Sequence, residues 1–366
     1  MATISFARGA PAPECLPAEE LADCARAALE RDGRSILSYG GASGYAPLRS
    51  LLAEWHGVEP KRVFMTNGSL QGFVFLAEHF FGGGPARVLV EAPSYDRPLK
   101  ILAAAGAEIV SIPVLDDGLD LDALERELTS GPPPAFLYTI PTFQNPSGRT
   151  LSVEGRHRLV ELARKHDLLV LEDDPYGRVR FEGEAPPTLF ELEGGDRVAY
   201  SSSFSKTIAP GLRVGYFVLP AELAVALDAL AVSTYISPVQ LSQATVYEFI
   251  QRGLYEPNLE RVRGLLRQRR DAMLAALERE LGEGARWSSP EGGYFLWLDL
   301  PDGTDAGALL ERANEAGVAF VKGADFFANG EGGRDSARLA YSFVSPAEVE
   351  EGVRRLASLL PAAARA

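Results

Sequence analysis

Between residues 87 and 219 the chain alternates short apolar runs with amphipathic stretches, and this alternation restricts the fold more than any other feature. Arg87–Glu91, Glu108–Ile112, Ala135–Ile140, Leu168–Glu172, Arg197–Ser201 and Arg213–Leu219 read as buried strands. Short, mostly apolar runs of this kind suit a sheet covered on both faces. Arg97–Ala105, Leu121–Leu128 and Val153–His166 carry helical spacing between them. Parallel strands need long crossovers, which helices supply. The pattern therefore predicts an α/β fold with a mostly parallel central sheet flanked by helices. In such sheets functional groups gather at the carboxyl ends of the strands.

After about residue 220 the rhythm changes. Ala221–Leu230, Pro238–Arg252 and Glu256–Leu281 read as helices, followed by short strands at Gly293–Leu298, Val318–Val321 and Arg338–Phe343. Helices at Ala306–Ala316 and Pro346–Leu360 complete a smaller α+β piece. The expected division is an N-terminal segment, 1–38, joining the small domain, a large α/β domain, 39–275, and a small C-terminal domain, 276–366. A net charge of −14 over 366 residues disfavours binding to a phosphate backbone, so nucleic acid is not an expected partner. No apolar run reaches the roughly 18 residues of a membrane span, and the first residues lack a secretory pattern. A cytoplasmic location is the default expectation. Cys15 and Cys24 are too few for a disulfide framework or a thiolate metal site, and His56, His79, His157 and His166 lack metal-ligand spacing. No metal is expected.

Several strand ends carry candidate chemistry. Ser201–Lys206 (SSSFSK) places Lys206 just after a strand, where desolvation lowers an amine's pKa and makes it a nucleophile. Ser203, Ser205 and Arg213 can hold a phosphate monoester. The alternative is a surface loop with a solvated lysine. Leu168–Tyr176 (LLVLEDDPY) ends a strand in Glu172, Asp173 and Asp174. These can bind metal, act as base or pair with a cation, or simply cap a turn. Asn145 in Pro141–Gly148 (PTFQNPSG) offers an amide donor, or only a turn. Met65–Gln71 (MTNGSLQ) opens an apolar helix whose first N–H groups can face an anion, or carries a plain N-cap. Tyr95 can stack on a flat ring or merely pack. Tyr39–Arg49 is a glycine-rich loop, and Arg338 heads a strand where it can grip a carboxylate.

Together these describe a site for a planar, phosphorylated, aldehyde-bearing aromatic, which is the description of pyridoxal 5′-phosphate. The chain resembles the class I/II aminotransferases of fold type I. Within them it is most similar to the branch holding 2-aminoadipate, aromatic and branched-chain aminotransferases and the catalytic halves of pyridoxal-phosphate-dependent transcription regulators. The resemblance runs from ISFARGAPAPE at Ile4 to RLAYSF at Arg338, and NPSG, EDDPY and SFSKTIAPGLRVGY carry it.

That resemblance implies roles. Lys206 resembles the Schiff-base lysine, which also moves the substrate's Cα proton. Asp173, three residues before Tyr176, matches the acid at the pyridine nitrogen. Tyr176 and Asn145 resemble the donors to the ring oxygen O3′, and Tyr95 the stacking aromatic. Gly68, Ser69 and Leu70 resemble the phosphate loop, completed by Ser203, Ser205 and Arg213. Arg338, assisted by Asn145, resembles the grip on the substrate α-carboxylate. Tyr39 resembles a tyrosine that reaches the partner subunit's phosphate, implying a homodimer with shared sites. Gly9 matches a backbone position lining the substrate pocket.

Two departures bear on specificity. Relatives commonly carry a helix before the ISFA segment that covers the site, so that part of specificity is expected to be absent here or supplied elsewhere. Arg8 stands where a small residue is expected, and at the pocket mouth it would favour acidic side chains; the alternative is a solvated arginine. The implied activity is amino transfer from an α-amino acid to a 2-oxo acid, with 2-oxoglutarate the expected acceptor. Alternatives are β-elimination on cysteine-type substrates and a regulatory sensor, the latter expected to carry a basic winged-helix domain for which residues 1–38 are too short and not basic.

Overall fold

A computed structural model describes residues 3–301 and 303–361. Residues 1, 2, 302 and 362–366 of the expected outer pieces lie outside the described residues. The strands are β1 (Ile4–Ser5), β2 (Val63–Thr66), β3 (Arg87–Ala92), β4 (Glu108–Leu115), β5 (Gly118–Leu119), β6 (Leu137–Thr139) and β7 (Val170–Asp173). They continue as β8 (Val198–Ser203), β9 (Gly215–Val218), β10 (Arg286–Trp287), β11 (Phe295–Asp299), β12 (Val318–Ala319), β13 (Val321–Lys322) and β14 (Ser336–Ala340). Helices are α1 (Ala18–Ile36), α2 (Ala46–His56), α3 (Ser69–Phe81), α4 (Asp96–Ala104), α5 (Leu121–Ser130) and α6 (Val153–His166). The remainder are α7 (Leu189–Glu193), α8 (Ala221–Tyr235), α9 (Gln240–Gln251), α10 (Tyr255–Leu281), α11 (Ala306–Glu315) and α12 (Pro346–Ser358).

The large sheet has eight strands in the order β2-β9-β8-β7-β6-β3-β4-β5. Five of them, from β8 through β7, β6 and β3 to β4, pair in parallel, while β9 runs antiparallel between β8 and β2. Side chains alternate between two cores. Leu89, Val170, Val198 and Tyr200 join one, and Val88, Val90, Leu171 and Ala199 the other. This is the period-2 signature of a sheet buried on both faces. Each such aliphatic side chain, fully withdrawn from water, contributes about 1.5–3 kcal/mol. The sheet is thus a stiff platform whose strand ends have fixed positions.

A four-stranded sheet, β10-β11-β14-β13, forms the C-terminal piece. The N-terminal β1 pairs in parallel with β12, Ile4 opposite Val318, while α1 packs on α9. Helix α10 runs without interruption through residue 275, where the expected domain boundary falls.

Some element expectations need correction. Val63–Thr66, absent from the expected strands, is a fully buried strand beside β9; a four-residue apolar run carries no period of its own. The Val318–Val321 run divides into β12, which serves β1, and β13, which serves β14. Arg338 does not head its strand: β14 starts at Ser336, and Arg338 is its third residue, paired with Trp297 and Val321. Likewise β9 starts at Gly215, because Arg213 takes a left-handed backbone, φ 53°, that an extended strand does not accommodate.

Candidate active site

The carboxyl ends of the parallel strands open into a cleft of about 360 Å³. At one end lies the start of α3. Its cap, Gly68, has φ 84°, and a Cβ there would sit 2.2 Å from Arg213 Nη2. A Cβ at Gly215 would sit 2.2 Å from the Ser69 nitrogen. The missing side chains keep a cradle open between the guanidinium and the free N–H groups of the first turn of α3, where an anion is favoured. Ser203 and Ser205, whose hydroxyls lie 2.9 Å apart, line the same end.

Asp173 closes β7. Tyr138 donates to its Oδ2 at 2.9 Å and Ser201 to its Oδ1 at 3.1 Å. Sheet register explains both contacts. Ser201 is the direct partner of Asp173 on β8, and Tyr138 lies opposite Leu171, two residues back on the same face. Burial pushes the Asp173 carboxyl up to about 6, against the lowering hydrogen bonds from Tyr138 and Ser201. Asp174, its neighbour, serves the fold: it accepts from Tyr200 OH and from the Gly177 N–H.

Lys206 follows β8 by three residues, and Tyr294 OH donates to its backbone carbonyl at 2.9 Å. Its Nζ donates to the Gly9 carbonyl at 2.7 Å. Burial, then the charges of Arg338 and Arg213, bring this amine down to about 8. The sign follows: above about pH 8 the folded protein presents a neutral amine, while an unfolded chain holds that proton to near 10.5. Between these values the unfolded state binds more protons, so this group's contribution to stability rises with pH. Labelling of Lys206 by a carbonyl reagent in cofactor-free protein should reach half its maximal rate near pH 8. A midpoint near 10.5 would show an ordinary solvated lysine.

Arg338 crosses the floor of the cleft. It donates to Asn145 Oδ1 at 3.0 Å and to the Ala7 carbonyl at 2.8 Å, and its guanidinium lies over Phe295, 4.2 Å from the ring centroid. Its buried Nε has no partner, an unspent donor of the kind a carboxylate takes. With Oδ1 occupied by Arg338, the Asn145 amide is left to donate. Tyr176 is buried against Tyr294 and Phe295, and Tyr95 caps α4.

The cleft lining includes Gly9, Ser69, Leu70, Tyr95, Asn145, Asp173, Tyr176, Ser203, Ser205, Lys206, Arg213 and Arg338, together with Asp96, Arg97, Ile140, Pro175, Pro210 and Phe295. Of the residues expected from the sequence, three are outside that lining. Gly68 borders it through its backbone beside Arg213. Tyr39 is 84% exposed. Arg8 is exposed with its guanidinium 4.1 Å from the Phe343 ring centroid, because the carbonyls on either side of it, Ala7 and Gly9, are the ones turned toward Arg338 and Lys206. Sequence reasoning missed Tyr138 and Ser201, the two donors to Asp173. A larger groove of about 1020 Å³ beside α10 and β10 contains no lysine and none of these residues.

The family model for aminotransferase class I and II matches residues 11–356. The chain belongs to the class I and II aminotransferases. It is 41% identical to the 2-aminoadipate transaminase of Thermus thermophilus, over 98% of this chain and 90% of that one. It is 35% identical to aromatic-amino-acid aminotransferase 1 of Thermococcus litoralis, over 98% and 88%. The crystal structure of a T. thermophilus α-aminoadipate aminotransferase, complexed with N-(5′-phosphopyridoxyl)-L-leucine, superposes with a TM-score of 0.92, covering 98% of this chain and 92% of that chain. The fold is that of fold type I, the cofactor is pyridoxal 5′-phosphate, and the reaction is amino-group transfer between an amino acid and a 2-oxo acid. The residues fit this cofactor. The glycine-lined cradle suits its phosphate, and a depressed lysine amine and a buried carboxylate share the remaining cleft. No helix among the described residues is long and apolar enough to cross a membrane.

Proposed function

We propose that Lys206 is the amine that holds the cofactor and carries the proton at the substrate α-carbon, in an enzyme that uses 2-oxoglutarate as amino acceptor. When bound, the cofactor supplies an electron sink for the charge that develops at that carbon. The observation carrying the reading is that the Lys206 amine, the Asp173 carboxylate and the anion cradle at α3 line one cleft although they come from distant segments.

Ser69, Leu70, Ser203, Ser205 and Arg213 bind the phosphate through N–H, hydroxyl and guanidinium donors. Asp173, oriented by Tyr138 and Ser201, holds a proton at the pyridine nitrogen. Asn145 and Tyr176 donate to the ring oxygen, and Tyr95 packs against the ring. Arg338 takes the substrate α-carboxylate, fixing which bond at the α-carbon faces the Lys206 amine. The Ala7–Gly9 segment is anchored by its carbonyls to Arg338 and Lys206, and Gly9 lines the cleft.

We further propose a homodimer in which Tyr39 meets the partner's site. Tyr39, Leu37, Val225 and Val232 are more than half exposed in the single chain, and such apolar surface favours a covering partner.

The test is a panel of amino donors given to the cofactor-loaded protein, followed by its absorption spectrum. Donor-dependent bleaching, reversed by 2-oxoglutarate, is expected. Release of pyruvate and ammonia from cysteine-type substrates with no oxo acid present, and no reversal by 2-oxoglutarate, would overturn amino transfer in favour of elimination.

A further inference from the structure

We propose that Arg97 selects the substrate's side chain, its guanidinium binding the distal carboxylate of a dicarboxylic amino donor or of the matching oxo acid. This rests on the aminotransferase reading above and adds to it the class of side chain the cleft accepts.

Four cationic side chains line the cleft: Lys206, Arg213, Arg338 and Arg97. Three have work in the reading above, at the amine, phosphate and α-carboxylate positions. Arg97 has none. It is the second residue of α4, directly after Tyr95 and Asp96, and its side chain is 61% exposed. Its one ion pair is loose, Nε to Asp96 Oδ2 at 3.7 Å, beyond hydrogen-bond distance. Asp96 has a closer partner, Lys100, at 2.6 Å, one helical turn on. Among the described residues no acceptor engages the five N–H donors of Arg97, a fork whose geometry matches a carboxylate.

Position adds a second argument. Arg97 stands in the first turn of the nine-residue α4, next to Asp96, whose carboxylate accepts from Lys100. Tyr95, Asp96, Arg97 and Arg338 line the same cleft, and the acid among them is thus already engaged. A substrate whose α-carboxylate sits on Arg338 therefore shares its cleft with a second cation that no acceptor among the described residues engages. A dicarboxylate gains a charge-assisted contact there, and a neutral side chain does not. Arg8, expected from sequence to do this work, is stacked on Phe343 outside the lining.

The experiment compares glutamate with norvaline, which has the same chain length without the distal carboxylate. Both are given to cofactor-loaded wild type, Arg97→Ala, Arg97→Lys and Arg97→Glu. Because Arg97 is exposed, folding should be unaffected, and circular dichroism checks that. Arg97→Ala should lower kcat/KM for glutamate about 10- to 100-fold, the scale of one charge-assisted contact. For norvaline the change should stay below about threefold. Arg97→Lys should recover part of the loss and Arg97→Glu deepen it. In binding without turnover, Arg97→Ala should weaken glutarate and leave valerate unchanged. Equal effects on both amino acids, no effect on either, or a wild type preferring norvaline tenfold would overturn the assignment while leaving amino transfer intact. If neither amino acid bleaches the loaded protein, both this assignment and the reading it rests on fall.

Discussion

Lys206→Ala is expected to fold normally and to lose turnover by at least about 10⁴-fold, since it removes both a covalent anchor and the proton carrier at the α-carbon. Folding should survive because Lys206 makes one side-chain hydrogen bond, to the Gly9 carbonyl, and its burial already disfavours the charged form. The cradle at Gly68, Ser203, Ser205 and Arg213 is untouched, so the variant should still bind the cofactor non-covalently. Turnover, equilibrium dialysis and thermal melting separate the claims. A variant with more than about 1% of wild-type turnover would remove Lys206 from the chemistry. One that fails to fold would make it structural.

The second large effect is expected at Asp173. Asp173→Ala should lower kcat by about 10²- to 10³-fold, the range for losing a placed charge at the centre of a site. It also strands Tyr138 OH and Ser201 Oγ. A cost of about 1–3 kcal/mol per buried donor should appear in denaturant unfolding. Asp173→Asn separates the two consequences. Its amide oxygen still accepts from one of those hydroxyls, so stability should largely return, while kcat stays low because an amide does not hold a proton at a ring nitrogen. Near-normal kcat in Asp173→Asn would show that the carboxylate charge is not used.

Local chemistry was legible in the sequence, and adjacency was not. The βαβ alternation announces the sheet, and the Lys206 segment can be read from residue types because strand ends in such sheets converge. Yet the donors that orient Asp173 come from its neighbours in the sheet. Tyr138 reaches it from β6 and Ser201 from β8, and naming them requires the strand order and register. Val63–Thr66 escaped for a simpler reason: its four buried residues give no alternation to detect. Arg8 and Arg97 make the same point from opposite directions. An arginine beside Gly9 invites a role at the pocket, but chain direction there turns the neighbouring carbonyls inward and leaves Arg8 on Phe343. Arg97 follows a tyrosine of known interest and carries no motif, and it is the packing of α4 at the cleft rim that brings it into the lining.

The chain has five lysines: Lys61, Lys100, Lys165, Lys206 and Lys322. The most direct measurement incubates the full protein with pyridoxal 5′-phosphate, reduces it with borohydride and maps the added mass by peptide mass spectrometry. One adduct per chain, confined to Lys206, is the predicted result. An adduct scattered over the other four lysines, with Lys206 unmodified, would contradict the account at its base.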